Sequence, residues 1–235
     1  GDGLPDIFEQ NYVHDASFDA KPTVNQKGQL EIVSPFSYEP GMDRVFVNDG
    51  KGGRMVRSIG SSNDDRSTGL GVVIADIDSD IGNEVYVGND MRPNQLWKRS
   101  QDGGWLDVAP GSALGHDGTR TASMGIAAAD FDHSGTLDLH ITNFESAPVR
   151  LFMNRDGAFR DRAITFKLAQ DSYSVVGFGT QAIDYNHDGF ADLVVTNGHV
   201  ENTNVPGSLF QQPSQLFANY GDHFELQEVD GHSGY

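Results

Sequence analysis

Three nine-residue segments carry most of the recognisable chemistry of this 235-residue chain. They read Asp76-Ile-Asp-Ser-Asp-Ile-Gly-Asn-Glu84, Asp130-Phe-Asp-His-Ser-Gly-Thr-Leu-Asp138 and Asp184-Tyr-Asn-His-Asp-Gly-Phe-Ala-Asp192, and their first residues are 54 apart, twice. Each puts oxygen side chains at positions 1, 3, 5 and 9 of a tight turn. These are Asp76, Asp78, Asp80 and Glu84; Asp130, Asp132, Ser134 and Asp138; Asp184, Asn186, Asp188 and Asp192. The position-7 carbonyl of Gly82, Thr136 or Phe190 can add a fifth ligand. Oxygens at about 2.3–2.6 Å in flexible geometry suit Ca²⁺; Mg²⁺ demands a stricter octahedron and keeps its waters. Without a cation, several carboxylates so close repel one another. A shortened fourth copy opens the chain, with Asp2, the Leu4 carbonyl and Asp6 at positions 5, 7 and 9.

The loop start D-x-D-x-D-G is shared with the EF-hand, which also needs Glu at position 12 and flanking helices. Position 12 here is Val87, Ile141 or Val195, each inside a predicted strand. The expected site is therefore strand–loop–strand, closed by the acid at position 9. One such loop alone would read as a solvated Asp/Gly turn; three gap-free copies favour the metal. The copies differ: Ile81 stands where the others have Gly135 and Gly189, Ser134 is a weak position-5 ligand, and the third loop is the most regular.

The elements that position these loops also repeat. Gly71, Gly125 and Gly179 each precede the first Asp by five residues. Apolar pairs recur between loops (Val45-Phe46, Leu96-Trp97, Leu151-Phe152, Leu216-Phe217), followed by Asn/Asp-Gly turns such as Asn48-Asp49-Gly50. Such turns between short apolar runs signal hairpins. Each unit reads as four strands, in the second unit about 70–75, 84–89, 95–99 and 104–108, and no sustained 3.6-residue period predicts long helices. Four-stranded units at a period near 50 predict an all-β chain, a β-propeller of four-stranded antiparallel blades. The units are about 1–60, 61–112, 113–165 and 166–235, with insertions at 14–42 and 198–213. The missing first strand and the half loop at Gly1-Asp2-Gly3 make an arc of about four blades from a larger ring the expectation, with open edges that invite association.

Composition narrows the function classes. Acids number 34 against 16 bases, a formal net charge of −18, with a hydrophobic fraction of 37%. A chain this acidic has no basic stripe for nucleic acid or for an anionic membrane surface. No apolar run is long enough to span a bilayer. Without cysteine there is no disulfide, thiolate metal site or Cys nucleophile, a composition that fits an exported bacterial protein as well as a cytosolic one. No signal peptide is legible.

The three glycine-led strands, each followed by an acidic loop, resemble the FG-GAP or VCBS repeats of integrin-type propellers. Asn94-Gln-Leu-Trp, Gly177-Phe-Gly-Thr, Thr196-Asn-Gly-His-Val200 and Pro213-Ser-Gln-Leu-Phe217 are similar to the ASPIC/UnbV group of secreted proteins, which has an animal branch of cartilage acidic proteins. The resemblance covers nearly the whole chain. It implies a calcium-binding, extracellular or periplasmic β-propeller that serves as a binding or adhesion module.

Weaker signals have plainer readings. Gly177-Phe-Gly179-Thr-Gln-Ala182 fits a dinucleotide fingerprint, but an acidic loop follows where a helix is required. His133 and His187 share loop position 4, outside the ligand set. Trp97, Trp105, Phe152 and Phe217 sit at repeat positions and read as core. No H-E-x-x-H or G-x-S-x-G occurs. The function expected is a non-catalytic, calcium-stabilised module for a protein or glycan ligand; the alternative is a polysaccharide lyase or hydrolase on the same scaffold, which needs a catalytic cluster that the sequence does not display. Strand alternation puts both insertions on the face opposite the acidic loops. Ligand contacts are expected there, from residues such as Tyr12, His14, Phe36, Tyr38, His199, Glu201 and Phe210.

Overall fold

A computed structural model of the chain describes residues 3–14, 23–24, 30–31, 35–60, 62, 65–78, 80, 82–118, 120–200 and 209–228. Asp2, Ile81, Glu201, most of the 14–42 insertion and half of the 198–213 insertion lie outside the described residues. The described residues form an all-β structure of antiparallel sheets, with one short helix, α1 (Leu168–Ser172), and two short 3₁₀ turns.

The first sheet has three strands in the order β1 (Ile7–Glu9), β4 (Arg44–Asn48), β5 (Arg54–Ser58). Between β1 and β4 a separate ribbon pairs β2 (Thr23–Val24) with β3 (Leu30–Glu31). The second sheet runs β6 (Gly69–Ala75), β7 (Glu84–Arg92), β8 (Gln95–Arg99), β9 (Trp105–Asp107), within three residues of the predicted strands. It gains a fifth strand: β10 (Thr121–Ala122) pairs with the far end of β7 at Asp90 and Arg92. The third sheet runs β11 (Ile126–Ala129), β12 (Asp138–Ile141), β13 (Arg150–Arg155), β14 (Ala158–Asp161). The fourth runs β15 (Gly177–Ile183), β16 (Asp192–Asn197), β17 (Gln215–Asn219), β18 (Phe224–Gln227). The dinucleotide-like stretch 177–182 is therefore one strand, with no helix after it.

Strand alternation assigns the core. Side chains one residue apart point to opposite faces, so a strand buried on both faces feeds two cores. On β7, Val85 and Val87 join Val45, Ile59 and Trp97 in one cluster. Tyr86, between them, joins Leu96, Leu139, Ile141 and Phe152 in the next. Leu151, Leu193, Val195, Phe217 and Phe224 build the third with Phe131 and Phe166. Each core is thus shared by two consecutive sheets. The apolar pairs are divided the same way: Trp97, Phe152 and Phe217 face the preceding sheet, and Val45, Leu96 and Leu151 face the following one. Trp105 is only half-buried, under the Arg99 guanidinium at 4.6 Å.

The repeated glycines explain how the first strands of the sheets approach. A Cβ on Gly71 would lie 2.0 Å from the Met124 carbonyl oxygen, and one on Gly125 2.4 Å from that of Phe178. Only a residue without a side chain lets β6 lie against β11, and β11 against β15.

His140 lies on the β12 face turned to the fourth sheet. It is fully buried, with Nδ1 2.9 Å from Thr180 Oγ1 and Nε2 without a partner among the described residues. Burial pushes its pKa down to about 3, so the folded chain keeps the imidazole neutral. Below about pH 6.5 the unfolded chain takes up a proton that the folded chain refuses, and stability falls. This group alone is expected to cost about 2 kcal/mol between pH 7 and pH 5. Urea titrations of wild type and His140→Gln at both pH values check this; an equally steep acid loss in the variant would remove His140 as the cause.

Candidate metal centres

Each acidic loop joins the first two strands of its sheet. The position-9 acid opens the second strand, where the sheet fixes its backbone: Glu84 on β7, Asp138 on β12, Asp192 on β16. All three are buried. Asp138 Oδ2 accepts from the Phe131 N–H at 3.0 Å, and Oδ1 from the Asn154 N–H at 2.8 Å. Asp192 repeats this with Tyr185 at 3.0 Å and Asn219 at 2.8 Å. Glu84 Oε2 accepts from Ile77 at 2.8 Å, and Asp6, in the shortened copy, accepts from Asn48 at 2.9 Å. Asp138 and Asp192 are thus also backbone clamps between loop and third strand, while Glu84 holds the loop.

The position-1 acid shapes the turn. Asp130 accepts from the N–H groups of Ser134 and Gly135, and Asp184 from those of Asp188 and Gly189, at 2.8–3.1 Å. Between them, at position 4, His133 and His187 adopt the left-handed backbone, with φ 56° and 61°. His133 also stacks on Phe190 of the third loop at 4.4 Å, with Nε2 3.0 Å from the Gly189 carbonyl oxygen. A residue outside the expected ligand set thereby ties two loops together.

The first two loops gather their acids. Asp76, Asp78 and Glu84 each offer one oxygen, all within 4.8 Å of one another, and so do Asp130, Asp132 and Asp138. In the second cluster Asp132 Oδ1 is buried with no hydrogen-bond partner, an orphaned anionic oxygen of the kind a cation satisfies. Burial pushes the Asp138 carboxyl up to about 6 against its two N–H donors, and the Asp132 and Asp130 charges push the same way. Burial likewise raises Glu84, with Asp78 and Asp80 adding to it. The donor set, carboxylates and hydroxyls on a turn, fits a hard oxygen-seeking cation.

Two bases already share these charges. Lys98, on the third strand of its sheet, bridges Asp78 and Asp80, and Arg155 pairs with Asp132. The remaining predicted ligands are exposed or tied locally. Gly82 is exposed at φ 129°. Ser134 Oγ lies 2.9 Å from Thr136 Oγ1, which donates to the Asn154 carbonyl. In the third loop Asn186 Nδ2 donates to Asp188 Oδ2 at 2.8 Å, and the Phe190 N–H donates to Asp188 Oδ1. With an amide at position 3, that loop holds no comparable carboxylate triad among the described residues. Leu4 is exposed.

Sequence reasoning treated Asn154 and Asn219 as turn residues. They are fully buried latches: Asn154 Nδ2 donates to the Ile77 carbonyl in the preceding sheet's loop at 2.6 Å, and Asn219 Nδ2 to that of Phe131 at 2.8 Å. The recurrence of Asn two residues after three of the four apolar pairs was the available signal. The other motif residues hold the opposite end. Gln95 and Gln215 donate to the Asp65 and Asp171 carbonyls, and Asn197 donates to Gln215 Oε1 and the Pro213 carbonyl.

The residues expected to bind from the insertions are largely occupied with packing. Tyr12 donates to Asp90 at 2.7 Å and meets Tyr38 edge-on. The His14 N–H bonds the Glu39 carbonyl. The His199 ring is buried against Phe144 and Glu145. Phe36 carries Arg120 over its ring, and Phe210 is exposed. The 220–223 turn meets the third acidic loop, since a Cβ on Gly221 would lie 2.8 Å from the Phe190 ring. The β16–β17 connection therefore leaves from the other end.

No family model matches the chain. Among solved structures, an Agrocybe aegerita lectin described for specific recognition of non-reducing terminal N-acetylglucosamine aligns at a TM-score of 0.47 and 17% identity, over 80% of this chain and 46% of that one. Over 134 residues the chain is 28% identical to cartilage acidic protein 1 of Xenopus tropicalis, covering 55% of this chain and 20% of that protein. Over 98 residues it is 32% identical to human cartilage acidic protein 1, covering 41% of this chain and 14% of that one. The matched stretches span a fifth or less of these relatives. On this sequence similarity, the chain is a partial, low-identity homologue of cartilage acidic protein 1.

Proposed function

We propose that this chain is an arc of a calcium-stabilised β-propeller that serves as a non-catalytic extracellular or periplasmic binding module. Units 1–60, 61–112, 113–165 and 166–235 are its blades. The observation that carries the metal reading is the pair of acidic clusters, Asp76/Asp78/Glu84 and Asp130/Asp132/Asp138, with the orphaned Asp132 oxygen in the second. Cores shared by consecutive sheets, and glycines at each approach of first strands, support the radial arrangement. When bound, the ion supplies the positive charge that lets buried carboxylates stay ionised. Asp80, Ser134 and the position-7 carbonyls complete the shells, and Asp184, Asn186, Asp188 and Asp192 form a third, less charged site.

Similarity to cartilage acidic protein 1 supports a place outside the cell, where modules bind calcium with Kd of roughly 0.1–1 mM. No described helix is long and apolar enough to cross a membrane. Isothermal titration of the metal-free chain is expected to show at least two calcium sites, with magnesium much weaker. Equal magnesium affinity, or no heat with either ion, would overturn the calcium assignment.

A further inference from the structure

The bases of this acidic chain are unevenly placed. A groove of about 1060 Å³ runs between the edge of the third sheet and the β17–β18 turn of the fourth, and Arg155, Arg160, Arg162 and Lys167 all line it. That is four of the chain's 16 bases in one concavity, on a molecule with twice as many acids. Asp132 and Asp222 are the carboxylates of the lining; four bases less two acids leave two positive charges, counting His223 as neutral. Arg160 and Arg162 make no ion pair among the described residues, although Asp161 between them is taken by Arg150.

Local structure fixes this arrangement. Arg160 faces Met153 across the β13–β14 ladder. The Arg162 N–H bonds the Leu151 carbonyl at 2.7 Å, which carries the pairing past the end of β14. Residues two apart on an extended chain share a face, so the two guanidinium groups project side by side from positions roughly 7 Å apart. The chain then turns tightly, with Phe166 N–H to the Arg162 carbonyl, and Lys167 takes the left-handed backbone at φ 63°. The Phe224 N–H holds the turn to the fourth sheet through the Phe166 carbonyl at 2.9 Å. The cations thus sit on a pinned frame, exposed to solvent.

We infer that this groove binds an acidic oligosaccharide, one bearing sulfate or carboxylate groups on successive sugars. Paired arginine forks suit oxyanions that accept two parallel hydrogen bonds. The volume is at the upper end for a ligand pocket and far exceeds a single ion. Exposed Ala158 gives apolar surface beside the cations, and Met153 and Phe166, buried in the third core, form the groove's floor. The exposed Asp222 carboxylate distinguishes the occupant: it accepts hydrogen bonds from sugar hydroxyls, donors that the side chains of a poly-acidic peptide lack. This deepens the binding reading without resting on calcium.

The test is calorimetric titration of the chain with a sulfated heparin hexasaccharide, a polygalacturonate hexamer, neutral cellohexaose, a poly-glutamate peptide and inorganic sulfate. It is run in calcium and in EDTA at a temperature where the chain is folded, so that failure of the metal reading shows separately. At least one acidic sugar should bind, cellohexaose should not, and binding should weaken between about 50 and about 500 mM salt. The sulfated and uronate arms identify which oxyanion is read. Arg160→Ala/Arg162→Ala should weaken binding roughly tenfold or more, while Arg54→Ala/Arg57→Ala, on the distant β5, should not. Both pairs are exposed, and circular dichroism confirms the fold. Tighter binding of poly-glutamate, equal binding of cellohexaose, a response to inorganic sulfate alone, or indifference to the Arg160/Arg162 change would each overturn the inference.

Discussion

In EDTA the chain unfolds roughly 10–20 °C below its midpoint in excess calcium. The figure follows from mass action: an ion that binds only the folded state at about 100 times its Kd stabilises by about 2.7 kcal/mol per site. The two carboxylate clusters would then contribute about 5 kcal/mol together, and each kcal/mol moves the midpoint of a chain this long by about 2–4 °C. The structure also says why the loss stops short of collapse. Lys98 already shields Asp78 and Asp80, and Arg155 shields Asp132, so removing the ion does not leave bare clusters. These pairs are partly exposed and individually weak; they soften the repulsion without replacing the ion. Differential scanning calorimetry with calcium, magnesium and EDTA measures this directly. A midpoint unmoved by chelation would remove calcium from the account of this fold.

Asp138→Ala is expected to destabilise by about 4 kcal/mol even in EDTA, because its carboxylate holds two backbone N–H groups as well as any ion. The residue is fully buried, and truncation orphans the Phe131 and Asn154 donors at about 1–3 kcal/mol each. A smaller offset comes from removing a carboxyl that burial keeps near 6. Asn is no remedy, since its amide would point a donor at a donor. Asp192→Ala should behave alike, having the same two partners in the fourth sheet. Asp132→Ala is the contrast: one oxygen is orphaned and the other pairs with the exposed Arg155, so its cost should appear in calcium and nearly vanish in EDTA. Chemical denaturation of the three variants with and without the ion separates clamp from ligand. Equal losses for Asp138→Ala and Asp132→Ala in EDTA would show that the position-9 acid is not a clamp.

Much of the architecture could be read from the chain alone, because its signals are local. Period-two alternation and Asn/Asp-Gly turns act over a few residues, so the strands of the second sheet fall within three residues of expectation. The spacing of the acids located the loops for the same reason. Repetition did the rest, since a position filled alike three times is constrained alike three times. Gly71 and Gly125 show this: their interval was visible, and its cause is a backbone carbonyl of the next sheet where a Cβ would stand.

What the chain could not display were contacts between units. Asn154 and Asn219 looked like turn formers, because nothing local tells a turn amide from one that reaches a carbonyl 77 or 88 residues away. The position-9 acids read as ligands, yet the N–H groups they hold come partly from a strand 16 or 27 residues further on. Arg155, Arg160, Arg162 and Lys167 are unremarkable in sequence among 16 bases. Only the approach of the β17–β18 turn to the edge of the third sheet makes one groove of them. Local hydrogen-bonding and hydrophobic periods are written residue by residue; the shielding of charge, the sharing of a core and the shape of a groove depend on which distant residues the sheets bring together.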